Sequence, residues 1–324
     1  MTVSTAAFGT YAAIGNREDL TDIIAMISPT RTPFMMLAGK TKATGKTHEW
    51  QTDALAAAVT TNAQIEGDIV TPSASTPTVR LANYTQISRK DATVTGTQEK
   101  VLKAGRKSEM ARQMSKRMAE LKRDMESVLC SNQRGVSGAT GTARKLRGLA
   151  AFNNTNTNRY TASTSGTKGK NATAPNSATG AGTDAGNTRA LTELLLKGVL
   201  ATAYANGAEI SHIMVGPHNK QVISTFTGRS SSREVVDKNK ILGAADVYMS
   251  DFGDIKIFPN VFGRERDCVL LDPEMVAISY LRAPFVKDLP VFGDAEAKMV
   301  LTEYTLEVRN YGGIGMVADI NTSS

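Results

Sequence analysis

The chain has 324 residues, 41% of them hydrophobic and 21% charged, so it has room for one large or two ordinary domains with real cores and is not compositionally disordered. No run of about 18 apolar residues occurs, which excludes a membrane-spanning helix, and the first residues lack the basic and long apolar regions of a secretory signal. The net charge of +7 is uneven: residues 1–97 carry 8 basic and 8 acidic groups, residues 98–190 carry 17 and 6, and residues 191–324 carry 13 and 17. The basic middle permits contact with a polyanion without implying sequence specificity, although a solvated helix face plus a polar loop would give the same count.

Residues 1–45 read as an extended arm, because Pro29 and Pro33 break any helical pattern. The segment RTPFMMLAGK carries apolar anchors, Phe34 to Leu37, that dock either on a neighbour or on the chain's own domain. Residues 46–97 read as β: THEWQTD alternates, and PTVRLANYTQISRKDATVTGT is rich in Val, Ile, Thr and Tyr. Between these runs lies a small, polar, Ala/Thr-rich stretch, which makes a long two-stranded ribbon with a loose tip. A ribbon of that kind is marginal alone in water and needs a neighbouring surface.

Residues 98–131 give the strongest helical signal. Met110, Met114, Met118, Leu121, Met125 and Val128 form one stripe at helical period. Glu99–Lys103 and Glu120–Arg123 are spaced to pair on the polar face. A continuous helix over this span would run roughly 50 Å and would lie across a sheet; Met at the stripe and a broken heptad disfavour a zipper. Gly105 weakens its first turns. Residues 132–187 read as a long polar surface loop. Residues 188–283 read as an α/β module: a helix capped by Asn187 or Thr188 and ended by Gly207, the strand SHIMV, a helix opening at Pro217 with Gly228 after it, then the strands IKIFP, CVLLD and MVAISYL. Residues 284–324 return to β, and EYTLEVRNYGGIGMVADI reads as a hairpin turned at Gly312-Gly313.

Catalytic and metal chemistry find little support. His48, His212 and His218 have no ligand partners at metal spacing, and there is no HxxxH, CxxC, GxSxG or Walker A pattern. Gly180 to Ala185 fits a loose GxGxxA but follows a polar tract instead of a strand. Asp251-Phe252-Gly253 has none of its kinase companions. Cys130 and Cys268 read as separate buried thiols in a reducing compartment. Neither an enzyme nor a cofactor is expected. Aromatic residues are not interleaved with the basic run, so a base-stacking groove is not expected either.

The order of elements carries the signal: arm, long ribbon, long helix, polar loop, α/β module, closing strands. That order resembles the major capsid (major head) proteins of tailed bacteriophages, an α+β Hong Kong 97-like fold. More narrowly, Lys46 to Gln51 around Trp50, the Ile65-Glu66-Gly67 turn and Asn83 to Ile87 are similar to a group of head proteins whose ribbon opens with a Trp-centred strand. The resemblance implies an N-terminal arm (1–45), an extended loop lying over a neighbouring subunit (46–97), a peripheral domain with a spine helix (98–131) and surface loop (to 187), an axial domain (188–283) and closing peripheral strands (284–324). It implies self-assembly into hexamers and pentamers of an icosahedral head in the bacterial host cytoplasm, with no membrane involved. Arm and ribbon contacts would come from Phe34, Met35, Trp50, Ile65, Glu66, Tyr84 and Arg89. Packaged double-stranded DNA would meet Lys103, Arg106, Lys107, Arg112, Lys116, Arg117 and Arg123 nonspecifically. No long charged scaffolding segment precedes the arm, so the resemblance implies a separate scaffolding protein or none, with the separate protein and a portal as the expected partners. The lysine–asparagine crosslink of some relatives is not expected, because residues 54–79 hold no lysine. Two alternatives stay open: a nonspecific nucleic-acid-binding protein using 98–131, and a compartment shell of the same fold holding protein cargo.

Overall fold

In the computed structural model of the chain, the described residues are 26–69, 74–152, 155–160, 184, 187–226, 246–290 and 293–323. The first 25 residues of the expected arm, most of the Asn/Thr/Ser/Gly tract and Gly228 lie outside them. Among the described residues the chain opens with a short helix, α1 (Pro33–Leu37), and the strands β1 (Gly39–Lys42) and β2 (Thr47–Thr52). Then come β3 (Val79–Tyr84), β4 (Gln86–Thr95), α2 (Gly96–Lys100), α3 (Glu109–Leu129), α4 (Leu149–Phe152) and β5 (Asn156–Asn158). The second half holds α5 (Glu193–Ala205), β6 (His212–Val215), α6 (Pro217–Ser224), β7 (Val247–Ser250), β8 (Gly253–Pro259), β9 (Asp267–Leu271), β10 (Val276–Asp288), β11 (Ala295–Val308) and β12 (Ile314–Ala318).

Three sheets result. One is four-stranded in the order β1-β10-β11-β4, one six-stranded in the order β5-β12-β9-β6-β8-β7, and β2 pairs with β3 alone as the base of the ribbon. The side chains of α3 pack against one face of the four-stranded sheet. Met110, Met114, Leu121, Met125 and Leu129 meet Val300, Tyr304, Leu306, Val308 and Ile278 in one core. Met214, Val269, Leu271 and Ile314 join the same core from the six-stranded sheet. The other face of that sheet receives Leu196, Val199 and Leu200 of α5 and Ile223 of α6.

Four expectations are corrected. The long helix is 21 residues, Glu109–Leu129, not a continuous span over 98–131. Gly105 adopts φ +71, a left-handed conformation that interrupts a helix, and α3 restarts with Ser108 as N-cap, its Oγ accepting from Ala111 N. Glu99 Oε2 from α2 accepts from Glu109 N and Met110 N, so the break is held by a carboxylate at the new N-terminus. Second, β11 and β12 do not form a hairpin: β11 pairs with β10 and β4, whereas β12 crosses to the other sheet between β5 and β9. Third, the segment read as the end of the α/β module, MVAISYL, begins β10 of the four-stranded sheet, so the module stops near 275 and not at 283. Fourth, the segment read as a surface loop does not stay on the surface: residues 146–152 and 156–158 are built into the core and a sheet. Leu146, Leu149 and Phe152 are core residues, and β5 is an edge strand on β12.

The turn that brings Leu149 and Phe152 inward is tight. A Cβ on Gly148 would lie 2.1 Å from the backbone oxygen of Ser131. Gly148→Ala is therefore expected to lower subunit stability by about 1–3 kcal/mol through overpacking, read as a fall in the denaturant midpoint with an unchanged slope.

Candidate assembly surfaces and basic face

The two anchors of the arm dock within the chain. Phe34 is in the core, and Glu126, buried on α3, accepts from Phe34 N at 2.7 Å and Met35 N at 2.9 Å. The same carboxylate accepts from Asn260 Nδ2 at 2.8 Å, in the loop after β8. Burial pushes the Glu126 carboxyl above its ordinary value, and the three N–H donors pull the other way. Phe34 is thus a buried anchor and not a free contact; its neighbour Met35 is only half-buried.

The base of the ribbon is also anchored internally. Trp50 Nε1 donates to Val308 O at 2.8 Å, so Trp50 faces its own core. His48 Nε2 lies 3.0 Å from Glu307 Oε2, which also accepts from Thr41 and Ser279, while Arg309 Nε donates to Oε1. Farther along β11, Glu303 accepts from Thr85 Oγ1, Arg282 and Arg144. Arm strand, ribbon and sheet are therefore buttoned together by two carboxylates on one face of β11. Asn83 completes the join by donating to Leu306 O and Arg147 O. Sequence reasoning missed Glu303 and Glu307; their four-residue spacing, opposite the apolar Tyr304, Leu306 and Val308, was the only signal. Tyr84 is half-buried at the ribbon base, and Arg89 is exposed on β4.

The ribbon tip is different. Every described residue from Asp53 to Ile69 and from 74 to 78 is exposed, and none lies in a strand. Leu55, Val59, Ile65 and Ile69 are among the most exposed large apolar side chains, Leu55 at 99%. Of the expected contact residues, Ile65 and Glu66 at the tip and Arg89 on β4 are open to solvent, whereas Phe34 and Trp50 are not.

The basic run is largely neutralised within the chain. Lys103 lies 3.7 Å from Glu99; Arg106 and Arg112 both pair with Glu109; and Arg117 pairs with Glu120 at 2.7 Å. The expected Glu120–Arg123 pair does not form; Arg123 sits 5.1 Å over the Phe262 ring, a cation–π contact joining α3 to the loop after β8. Lys107 and Lys116 are exposed and make no direct ion pair among the described residues, and Lys122, not among the expected cations, is also exposed. Lys103, Arg106 and Lys107 precede α3 and so do not share its face. Among the described residues no group of three His, Cys, Asp or Glu is placed to hold a metal ion, and no helix there is long and apolar enough to cross a membrane.

Comparison with known proteins gives one consistent result. The profile of the SU10 major capsid protein family matches residues 4–321. The major capsid protein of Escherichia phage Phieco32 is 36% identical over 126 residues, which cover 39% of this chain and 36% of that relative, so the match spans little more than a third of the relative's length. Among solved structures, the capsid of cyanophage A-1(L) superposes with a TM-score of 0.63 at 15% identity over 97% of this chain and 99% of that one. A holo-encapsulin complex from Synechococcus elongatus PCC 7942 superposes with a TM-score of 0.55 at 11% identity over 95% of this chain and 94% of that one. At such identities these structures establish the Hong Kong 97-like α+β fold alone.

Glu307 gives a pH test of the ribbon anchor. The hydrogen bond from His48 leads those from Thr41, Arg309 and Ser279 in holding its carboxyl down, against burial, to about 2 from an ordinary 4.5. Its folded value lies below its unfolded one, so its stabilisation is present above pH 4.5 and is lost as pH falls toward about 2. Glu307→Gln should therefore melt below the wild type at pH 7, and the gap should narrow between pH 4.5 and 2; parallel melting curves across that window would contradict the assignment.

Proposed function

The chain belongs to the SU10 major capsid protein family, and from that premise we propose that it is the self-assembling building block of an icosahedral phage head, located in the virion and enclosing double-stranded DNA. The observation that carries the reading is the ribbon tip. It is a long excursion whose described residues bury nothing within their own chain and expose four large aliphatic side chains. Large apolar side chains on an exposed, unpaired excursion are costly in water unless a neighbour covers them. Copies of the chain in hexamers and pentamers would supply that neighbour. The four-stranded sheet with α3 then serves as the peripheral domain, and the six-stranded sheet with α5 and α6 as the axial domain. A scaffolding protein and a portal are the further partners this role calls for.

DNA contact is narrower than the sequence count suggests. With four of the seven cations engaged by glutamates and Arg123 over a ring, the charges left for phosphate are Lys107 and Lys116, in addition to the exposed Lys122. That supports a weak, nonspecific lining over a dedicated DNA-binding face. A shell around protein cargo shares the fold, and the nucleic-acid content of purified particles separates the two roles.

Two measurements test the reading. Size-exclusion chromatography and negative-stain electron microscopy of the expressed protein, with and without a co-expressed scaffolding candidate, should give closed shells, tubes or five- and six-membered rings; a monomer or dimer under every condition would overturn it. Replacing residues 54–77 with an Asn-Gly turn, which suits a two-residue hairpin, should leave the subunit's melting temperature within a few degrees, because the tip contributes no core. The same deletion should abolish shells.

A further inference from the structure

Glu126 lies in the last turn of α3, fully buried, and its two oxygens serve two other elements at once. Oε1 accepts from Phe34 N of α1 at 2.7 Å and from Asn260 Nδ2 at 2.8 Å, and Oε2 accepts from Met35 N at 2.9 Å. Asn260 in turn holds the loop after β8. Its Oδ1 accepts from Phe262 N and Gly263 N, and its own N–H donates to Val215 O of β6. The Asn260 amide thus joins the 260–263 loop to the carboxyl group, and the carboxyl group joins it to α1. Phe34 and Asn260 share one oxygen, so a movement of that oxygen toward one donor lengthens or bends the bond to the other.

Both ends of this relay are lightly held elsewhere. α1 has five residues, and its one buried side chain is Phe34. Residues 26–31, which lead into it, are all exposed, with Met26 at 65% and Ile27 at 101%. Anything that takes hold of this apolar approach acts on the fold through α1. On the other side, Val261 is half exposed. A cavity of about 10 Å³, room for one water molecule, lies against Asn260 between Cys130, Met214 and Gly263. The side chain that would have to move with the carboxyl group therefore has a packing gap beside it.

We propose that α1, Glu126 and Asn260 form a strap that couples the docking of the arm to the seating of the α/β module: freeing the arm loosens the 260–263 loop, and loosening the loop frees the arm. The coupling is reciprocal, as any linkage between two sites on one equilibrium must be. Its physical basis is the shared carboxyl group. With one donor removed, a buried acceptor is left short of partners, and the bonds that remain hold less well. The strap belongs to the single subunit. Its use in a shell, where a neighbour engaging residues 26–31 would adjust the α/β module of the same subunit, presupposes the assembly reading above.

Hydrogen–deuterium exchange of the unassembled full-length subunit reads both ends. Asn260→Ala should speed exchange at Phe34 and Met35 by about fivefold or more, and Phe34→Ala should do the same at Phe262 and Gly263, while amides of α5 and β11 keep their wild-type rates as the reference for global opening. If the reference amides also speed up, the milder Asn260→Ser and Phe34→Leu are read by the same comparison. A double-mutant cycle separates the strap from ordinary packing: in a Glu126→Gln background, each substitution should add less than about twofold at the far end, because the relay is already cut. Effects confined to the mutated end, or far-end effects of equal size with and without Glu126, would overturn the strap. Both results are obtained without a shell, so they leave the assembly reading untouched.

Discussion

The structure depends on burying both faces of a single strand. From Val300 to Val308 every residue of β11 is out of solvent. Val300, Tyr304, Leu306 and Val308 face the α3 side, where the methionine and leucine stripe of the helix closes the core. Glu303 and Glu307 face the other way, under the base of the ribbon, and carboxylates are tolerated there only because each meets several donors. A strand buried on both faces is a rigid beam. Arm, ribbon and helix are all attached to it, so any load on the ribbon is delivered to the same element that carries the core.

Glu126 ties that beam to the rest. Its carboxylate collects the first N–H groups of α1 and the amide of Asn260, so the entry of the arm, the last turn of α3 and a loop of the α/β module meet at one buried carboxyl group. Such a group without a cation is sustained by hydrogen bonds, and losing one partner would leave the others imperfectly satisfied. Arg123 on Phe262 makes a second link between the same helix and the same loop, one turn away. The two sheets are therefore coupled through α3 by specific polar contacts in addition to shared apolar packing.

Much of this was legible in the sequence. The stripe from Met110 to Val128 located the helix, and the alternation around Trp50 and from Tyr304 to Val308 located strands, because helix and strand periods are local properties. Pairing is not local. Nothing in GGIGMVADI says that the next strand joins a different sheet, since a crossover and a hairpin present the same period to a reader of one chain. The helix start was overrun for a different reason: Gly105 was visible, but the carboxylate cap supplied by Glu99 from ten residues away was not. The core residues Leu146, Leu149 and Phe152 were hidden by the polar tract that follows them. In the candidate surfaces, Ile65 and Glu66 are exposed because the described part of the tip has no local partner. Phe34 and Trp50 turned inward because an aromatic anchor next to a core is captured by that core first. The seven cations were counted correctly as charges, yet the pairing of four of them with Glu99, Glu109 and Glu120 depended on rotamers and a helix break that the sequence does not display.

The central claim is that the ribbon tip is built for a neighbour and not for its own chain. Hydrogen–deuterium exchange of residues 53–69, compared between unassembled subunits and assembled particles, tests it most directly. The account predicts fast exchange in the subunit, where every one of these residues is exposed, and strong protection in the particle. Equal exchange in both states would contradict it.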